Sequence, residues 1–262
     1  GSLSEAKLDE AFSDKTRLVA ITQVSNVLGR PTPVEEIVRR ARKSNAVVVL
    51  DAAQSSPHMP IDVQKLDVDF LAFSGHKLMG PMGIGVLYGK KKLLKAMPPF
   101  LTGGEMIDSV TRDGAKYAEL PHKFEAGTVN AAGAVGLAAA IDYINKIGFE
   151  TMQERELTLT KRALEGLKAI PKVHVLGSEL AEEHTGILTF TIEDVHPHDV
   201  SAVLESDGVA VRAGHHCAQP LLEYLGVRSA TRASLMFYNT EEEVDALVKS
   251  VAGVRRRMGY GE

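Results

Sequence analysis

The sequence of 262 residues contains a single cysteine and no tryptophan. One cysteine cannot form a disulfide within the chain, and such scarcity is typical of a reducing compartment, so we expect a cytoplasmic protein. No apolar run is long enough to cross a bilayer, and the first twelve residues are too polar for a signal peptide. The sequence therefore predicts no membrane association.

An excess of positive charge is also missing. Lysine and arginine number 30 against 34 aspartate and glutamate residues, which gives a formal net charge of −4. The chain thus lacks the basic footprint of a nucleic-acid-binding protein, and we expect no nucleic-acid partner. Hydrophobic residues make up 44% of the sequence, and at this length they can form a sizeable core in one or two domains.

The first half of the chain has the pattern of a parallel sheet. Apolar runs predict strands at 17–22, 46–51, 69–73 and 84–88, and a helix is predicted over 33–44. A strand, a helix and a second strand joined by short loops form a right-handed crossover between parallel strands. The glycine-rich stretch 97–128 looks irregular, and long stretches of this kind are often functional or lie at an interface.

The second half alternates differently. Helices are predicted over 130–147 and 149–170, followed by strands at 173–176, 186–192, 209–212 and 231–236, with helices at 198–206, 218–225 and 240–256. We therefore predict an α/β fold with a large domain over residues 1–147 and a smaller α+β domain over residues 148–262.

A lysine follows the third predicted strand, within the run Ser74-Gly-His-Lys77. A long side chain among glycines at a strand end can reach across a cavity, and desolvation or nearby positive charge can make its amine a usable nucleophile. Lys77 is therefore a candidate imine-forming residue. The alternative is an ordinary solvated loop lysine, since lysines are usually exposed.

A carboxylate ends the preceding strand, in Asp51-Ala-Ala-Gln54. Ligands of open α/β sheets bind at the carboxyl ends of the strands, where Asp51 and Lys77 would lie on opposite sides of one ring. Pyridoxal phosphate (PLP) needs an anion beside its ring nitrogen, and Ser74 and His76 could donate to its phosphate. The alternative for Asp51 is a helix N-cap.

These motifs, in this order, resemble a known family. They are Ser25-Asn26-Val-Leu-Gly29, Asp51-Ala-Ala-Gln54, Ser74-Gly-His-Lys77, Phe124-Glu-Ala-Gly-Thr128 and Arg212-Ala-Gly-His-His-Cys217-Ala-Gln-Pro. The sequence is similar to the SufS-type cysteine desulfurases, which are PLP-dependent enzymes of fold type I in the class-V aminotransferase family. The resemblance covers residues 5 to 255 and implies a cytoplasmic homodimer that takes sulfur from L-cysteine for iron–sulfur cluster assembly.

The resemblance assigns a role to each cofactor-binding candidate. It implies that Lys77 holds PLP covalently and then acts as a general base, and that Asp51 binds the ring nitrogen. The remaining implied contacts are Gln54 and Asn26 to the phenolic oxygen, Ser74 and His76 to the phosphate, and Thr128 to the phosphate of the neighbouring subunit. Asn26 is also implied to contact the substrate. For Thr128 a plain turn residue is an equal alternative.

Arg232 is the candidate for binding the substrate carboxylate, because a guanidinium matches a carboxylate with two parallel hydrogen bonds. The family uses the matching residue for this task, and Arg212 is a second candidate for the same pocket. The structural alternative for Arg232 is a salt bridge to the acidic residues Glu241–Glu243.

Cys217 is the candidate nucleophile that accepts sulfur as a persulfide. His215, His216, Arg212 and a helix start near residue 218 would all favour its thiolate. The alternative is a small buried residue, since free cysteine is among the most buried residue types.

The histidines around this cysteine could also bind a metal. The candidate ligands are His196, His198, His215, His216 and Cys217, but their spacing does not match a closed structural zinc site, so no intrinsic metal is predicted. The acceptor of the sulfur is expected to be a SufU-like or SufE-like protein. His198 occupies the position at which relatives paired with zinc-bearing SufU carry a histidine, so we hypothesise that it swaps onto the zinc of such a partner.

Length is the main departure from the family, whose members carry a further N-terminal segment with a phosphate loop and a ring-stacking histidine. A shortened or split enzyme that needs this segment is therefore an alternative to an active desulfurase. Another fold type I enzyme, such as a selenocysteine lyase or an aminotransferase, is also possible. An aminotransferase would not need Cys217.

Overall fold

The structure is a computed structural model that describes residues 2–261, and its first half forms a four-stranded sheet. Its strands are β1 (Leu18–Thr22), β2 (Val47–Asp51), β3 (Phe70–Ser74) and β4 (Gly85–Gly89). They lie in the order β1-β2-β3-β4, with β1, β2 and β3 parallel and β4 antiparallel to β3. The helices of this part are α1 (Glu5–Ala11), α2 (Val34–Lys43), α3 (Val63–Leu66) and α4 (Lys91–Ala96). The predicted parallel sheet is confirmed.

Buried apolar side chains hold this sheet against its helix. Val48 and Leu50 of β2 are fully buried and form a core with Val38 and Ala41 of α2. A strand rich in valine fits a pleated sheet that is covered on its faces. Because β1 and β4 lie at the ends of the strand order, each has one sheet neighbour among the described residues.

Residues 97–128 are less irregular than predicted. They contain a hairpin of β5 (Ile107–Val110) and β6 (Ala115–Tyr117), which pair antiparallel. The strands are short and mostly exposed, so they lack the alternation of buried and exposed side chains that reveals a strand. The dipeptide Asp113-Gly114 in the connecting turn is a hairpin signal that could have identified them.

Two long helices connect the sheets, as predicted. They are α5 (Ala131–Ile147) and α6 (Phe149–Lys168). Gly148 separates them with φ +86°, a conformation that glycine adopts without steric cost. The side chain of Asn130 caps α5 by accepting a hydrogen bond from the backbone N–H of Gly133.

The second sheet is antiparallel. Its strands are β7 (Val173–Leu176), β8 (Ile187–Ile192), β9 (Arg212–Gly214) and β10 (Ala230–Ser234), in the order β7-β8-β10-β9. The helices are α7 (Pro197–Ser206), α8 (Gln219–Tyr224) and α9 (Glu241–Arg257), the last opened by a capping box of Thr240 and Glu243. This α+β part follows the sequence-based prediction, whereas the proposed domain boundary at residues 147 and 148 stays a prediction.

One predicted strand was misplaced. The strand expected over 209–212 begins only at Arg212, because Val209 and Val211 pack against the core without joining the sheet. The correction matters for the site, since Arg212 now starts a paired strand. Among residues 2–261, none of the helices is both long enough and apolar enough to traverse a lipid bilayer.

Candidate active site

Two of the predicted residues, Asp51 and Gln54, lie at and just after the carboxyl end of β2. Asp51 ends β2 and is the register partner of Thr22 and Ala72 on the neighbouring parallel strands. Its Oδ1 accepts a hydrogen bond of 2.8 Å from the backbone N–H of Ala53, within a turn. The alternative of a helix N-cap is therefore wrong, since no helix begins there. Gln54 follows in the same turn and is half-buried.

Lys77 lies in a one-turn 3₁₀ helix, Gly75–Leu78, that directly follows β3. A glycine is required at position 75, because an added Cβ would lie 2.7 Å from the Cγ2 of Ile84. Lys77 is half-buried, and within the described part of the chain its amine makes no hydrogen bond or ion pair. Half-burial and the lack of a protein partner fit an amine that is available to react, and the imine-forming role of Lys77 stays a prediction.

The other residues of this motif and of the glycine-threonine motif differ in exposure. Ser74 is half-buried and precedes the 3₁₀ turn, while His76 within it is exposed. Thr128 is exposed and follows Gly127, whose φ is +80°. An exposed threonine is accessible to a neighbouring molecule, as its predicted role requires.

Two arginines face each other in the second sheet. Arg212 of β9 and Arg232 of β10 are direct cross-strand partners. Like charges in this arrangement repel unless an anion lies between them. Burial, with the charge of Arg212, lowers the pKa of Arg232, and the Nε of Arg232 is buried without a hydrogen-bond partner in residues 2–261. These properties favour a bound anion.

The structural alternative for Arg232 is wrong. The carboxylate of Glu241 pairs with Arg162, at 3.0 Å from its Nη1, and more loosely with Arg155, at 3.6 Å. Arg232 instead donates from Nη1 to the backbone carbonyl of Asn26 at 2.9 Å. The guanidinium of Arg232 is therefore held in place by a neutral carbonyl group, and no carboxylate among the described residues neutralises its charge.

The cysteine lies in a strained, exposed turn. Cys217 and the preceding His216 have φ values of +57° and +53°, in the left-handed region that costs non-glycine residues about 1–2 kcal/mol each. The Nη2 of Arg212 lies 3.8 Å from the Sγ of Cys217. The thiol is exposed, so the alternative of a small buried residue is wrong.

His216 does not have the predicted role as a cationic neighbour of the thiol. Its ring is buried, and its Nε2 lies 3.0 Å from the carbonyl of Ala230, which requires the proton on that nitrogen. Burial, more than the opposing hydrogen bond to Ala230, lowers its pKa, and the charges of Arg232 and Arg212 lower it further. We conclude that His216 is neutral and fixes the turn.

Asn26 joins the two halves of this arrangement. Its side-chain amide donates to the carbonyl of His216 at 2.6 Å, while its own backbone carbonyl accepts from Arg232. The loop after β1 is thereby tied both to the cysteine turn and to the arginine pair. The candidate site combines an amine that has no partner in residues 2–261 and a carboxylate near the edge of the first sheet with two guanidinium groups of the second sheet and a thiol in the turn after β9.

Comparison with known proteins places this arrangement in a family. The family model described as aminotransferase class-V matches residues 1–247. The chain belongs to the class-V aminotransferase family. The chain is 49% identical over 259 residues to a probable cysteine desulfurase of Streptomyces coelicolor, covering 99% of the chain and 62% of that relative.

Solved structures agree with the family assignment. The chain is similar to the apo structure of a cysteine desulfurase from Thermococcus onnurineus, with a TM-score of 0.92 and 42% identity over 98% of this chain and 64% of that one. It also resembles a C-DES mutant with glycine covalently linked to its PLP cofactor, with a TM-score of 0.82 and 26% identity over 97% of this chain and 64% of the other. The chain thus spans less than two thirds of the length of these relatives.

The histidines considered as metal ligands are not gathered into one cluster. His196 and His198 lie edge to face with ring centroids 5.1 Å apart, and the Nδ1 of His196 caps α7 by accepting from the backbone N–H of His198. Residues 2–261 contain no group of three or more side chains placed to hold a metal ion. The Nε2 of His198 lies 4.0 Å from the place a Cβ on Gly214 would occupy, next to the cysteine turn.

Sequence reasoning did not predict the contacts that support the site. Gln23 is buried, and its Oε1 accepts a hydrogen bond of 2.8 Å from the hydroxyl of Ser55 in the turn after Asp51. His216 was predicted for its charge, yet it acts through its ring N–H and its backbone carbonyl. The polar residues near the strand ends, such as Gln23, are visible in the sequence, but their spacing does not indicate which of them face the protein interior.

Proposed function

We propose that this member of the class-V aminotransferase family acts as a PLP-dependent cysteine desulfurase, converting L-cysteine to L-alanine and keeping the sulfur as a persulfide on Cys217. The observation that carries the proposal is the exposed, strained thiol at 3.8 Å from Arg212, beside an arginine pair that lacks a carboxylate in the described residues. A transaminase has no use for such a thiol. The desulfurase names of the similar proteins support the same conclusion.

The sheet edge fits PLP. The exposed carboxylate of Asp51 lies where the ring nitrogen would need an anion, and the polar groups of Gln54, Ser74 and Lys77 make no side-chain hydrogen bonds to the described residues. Such unpartnered groups at one edge suit a polar ligand with a phosphate, for which Ser74 and His76 are donors. When bound, PLP supplies an electron sink that makes the bonds at the substrate Cα and Cβ labile.

The residues of the chain have separate tasks in this reaction. Arg232 and Arg212 bind the substrate carboxylate, and the amine of Lys77 moves the proton at Cα. The Cys217 thiolate attacks the sulfur of the substrate, so that a sulfur–sulfur bond forms as the substrate C–S bond breaks. The electron pair of that bond stays with carbon, which takes up a proton. Cysteine and one enzyme thiol thus yield alanine and one enzyme persulfide.

The decisive experiment follows both products. Incubation of the PLP-loaded chain with one equivalent of L-cysteine is expected to release alanine and add the mass of one sulfur atom to the peptide that contains Cys217, in equal amounts. Alanine without added sulfur would contradict the proposal and favour a lyase that does not use the thiol.

The persulfide is exposed to an acceptor protein, and His198 suggests the kind of acceptor. Its position beside Gly214 supports delivery to a SufU-like partner whose zinc accepts this imidazole, rather than to a SufE-like partner. We expect His198→Ala to slow transfer of sulfur to a SufU-like protein about tenfold or more, since a metal ligand is lost. Desulfuration measured with a small thiol acceptor should not change. Full-rate transfer by the variant would exclude the imidazole swap.

A second candidate is a segment that works only with further polypeptide. The chain spans 62% of the Streptomyces relative, and within residues 2–261 β1 and β4 each have one unpaired edge. The side chains of Val86, Leu87 and Val135 are exposed by 40%, 46% and 72%. Such apolar surface favours a covering partner, either a homodimer neighbour that also receives Thr128 or a complementary segment. The absorbance of lysine-bound PLP separates the candidates, because a segment that cannot bind the cofactor alone would not develop it.

A further inference from the structure

A buried polar pair connects the two sheets away from the reacting groups. The Nδ1 of His58 lies 2.8 Å from the Oε2 of Glu156, and both residues are about 95% buried, with exposures of 5% and 4%. One turn earlier on α6, the Nε2 of Gln153 donates to the backbone carbonyl of His58 at 3.0 Å. Helix α6 is thus hydrogen-bonded twice to a single residue of the first sheet's connecting turn.

Stability does not explain this pair. Burying a carboxylate carries a large desolvation cost, which a single contact repays only with full hydrogen bonding. Here the Oε1 of Glu156 and the hydroxyl of Thr160, one turn later on α6, are buried with no partner in the described residues. An apolar pair would fill the same space without these unsatisfied atoms. The pair therefore contributes the defined geometry of its hydrogen bond, which orients α6, more than it contributes stability.

On the side of the first sheet, the His58–Glu156 pair is close in sequence to the residues proposed to bind PLP. His58 follows Asp51 and Gln54 in a turn that is fastened to β3 through the backbone N–H of Ala52, which donates to the carbonyl of Ala72 at 2.8 Å. The first turns of α6 also pack here, because Met152 lies in a buried cluster with Leu78, the residue after Lys77. That apolar contact is non-directional, whereas a hydrogen bond fixes the position of the helix.

The second end of α6 lies in the other core. Leu159, Ala163 and Leu167 pack with Leu188 and Phe190 of β8. Strand β8 pairs with β10, which carries Arg232, and β10 pairs with β9, which carries Arg212 beside Cys217. Any shift of α6 against the first sheet therefore moves the thiol relative to the amine.

We propose that His58 and Glu156 are positioning residues that lock α6 to the turn after Asp51 and so hold the Cys217 sheet in register with Lys77. The loop after β1 supplies further polar links to the second part of the chain, from Asn26 to His216, from Thr189 to Val27 and from Arg30 to Glu183. These contacts lie at a different place from His58, and links at two separate places restrict the rotation that links at one place would allow. The effect on catalysis rests on the proposed function, but the positional effect does not.

The test measures position directly. In a Cys217→Ser background, spin labels on Lys65→Cys, next to the first sheet, and Glu205→Cys, on α7, report the distance between the two parts by pulsed electron paramagnetic resonance. His58→Ala is expected to broaden or shift the distribution. His58→Asn is the matched control, because its amide can take the place of Nδ1 as donor to Glu156, and it should restore the original distribution.

A kinetic arm uses chains that keep Cys217. Since a misplacement of about 1 Å can cost about 10²-fold, His58→Ala should lower kcat for persulfide formation at least about tenfold with unchanged KM and PLP content. His58→Asn should recover most of the rate. If His58→Ala does not fold, Gln153→Ala removes the second contact from an exposed position and should broaden the distribution in part.

The outcomes are distinct. Identical distance distributions in the folded variants and the parent would overturn the positioning role, whatever the activity. If His58→Ala broadens the distribution, His58→Asn restores it, and the parent chain has no desulfurase activity, the positioning role is supported. The proposed function is then contradicted.

Discussion

Replacing Lys77 with alanine is expected to give a folded chain that no longer holds PLP covalently and turns over L-cysteine about 10³-fold more slowly or worse, since it loses both an amine nucleophile and a general base. The side chain makes no hydrogen bond or ion pair within residues 2–261, so its removal should cost little stability. Intact mass after borohydride reduction measures the covalent bond, and alanine release measures turnover.

Lys91→Ala supplies the matched control for this prediction. Lys91 is exposed in α4, downstream of the Lys77 turn, and has no place in the proposed site. The control should retain the PLP adduct and full turnover. Covalent PLP that survives in Lys77→Ala and maps to another lysine would show that the amine at the sheet edge is not the one that binds.

The fold was predictable because its signals are local. β2 is a run of valines and leucine that ends in Asp51, and buried parallel strands have this pattern regardless of their neighbours. The hairpin within 97–128 was missed for the opposite reason, since its exposed strands leave no hydrophobic periodicity. The start of β9 at Arg212 depends on pairing with β10. This is a contact between distant parts of the chain, so a local stretch of sequence does not reveal it.

The candidate reacting groups could be proposed from the sequence, but the contacts that support them could not. Lys77, Asp51 and Cys217 lie in short motifs whose residue types indicate an amine nucleophile, a ring-nitrogen partner and a thiol nucleophile. The neutral state of His216 follows from its burial against Ala230, and the link from Asn26 to His216 spans 190 positions of sequence. Such features arise from the packing of two sheets and have no counterpart in local spacing.

The thiol variants are expected to separate chemistry from stability at one position. Cys217→Ser keeps the shape of the side chain but not its thiolate, so persulfide formation should fall by at least about 10²-fold. Cys217→Gly should lose activity equally, yet raise the free energy of unfolding by about 1 kcal/mol, because glycine adopts φ +57° without the clash that a Cβ makes. Denaturant unfolding and alanine release measure the two effects.

Ala213→Gly in β9 is the control for the glycine substitution. Ala213 pairs with Thr231 in an extended strand, where glycine relieves no strain and weakens the strand by about 0.5–1 kcal/mol. Opposite signs at positions 213 and 217 would attribute the stabilisation to the left-handed turn. Turnover that persisted in Cys217→Ser would contradict the desulfurase and favour an aminotransferase-like reaction, because only sulfur transfer requires an exposed thiol to be held in a strained conformation.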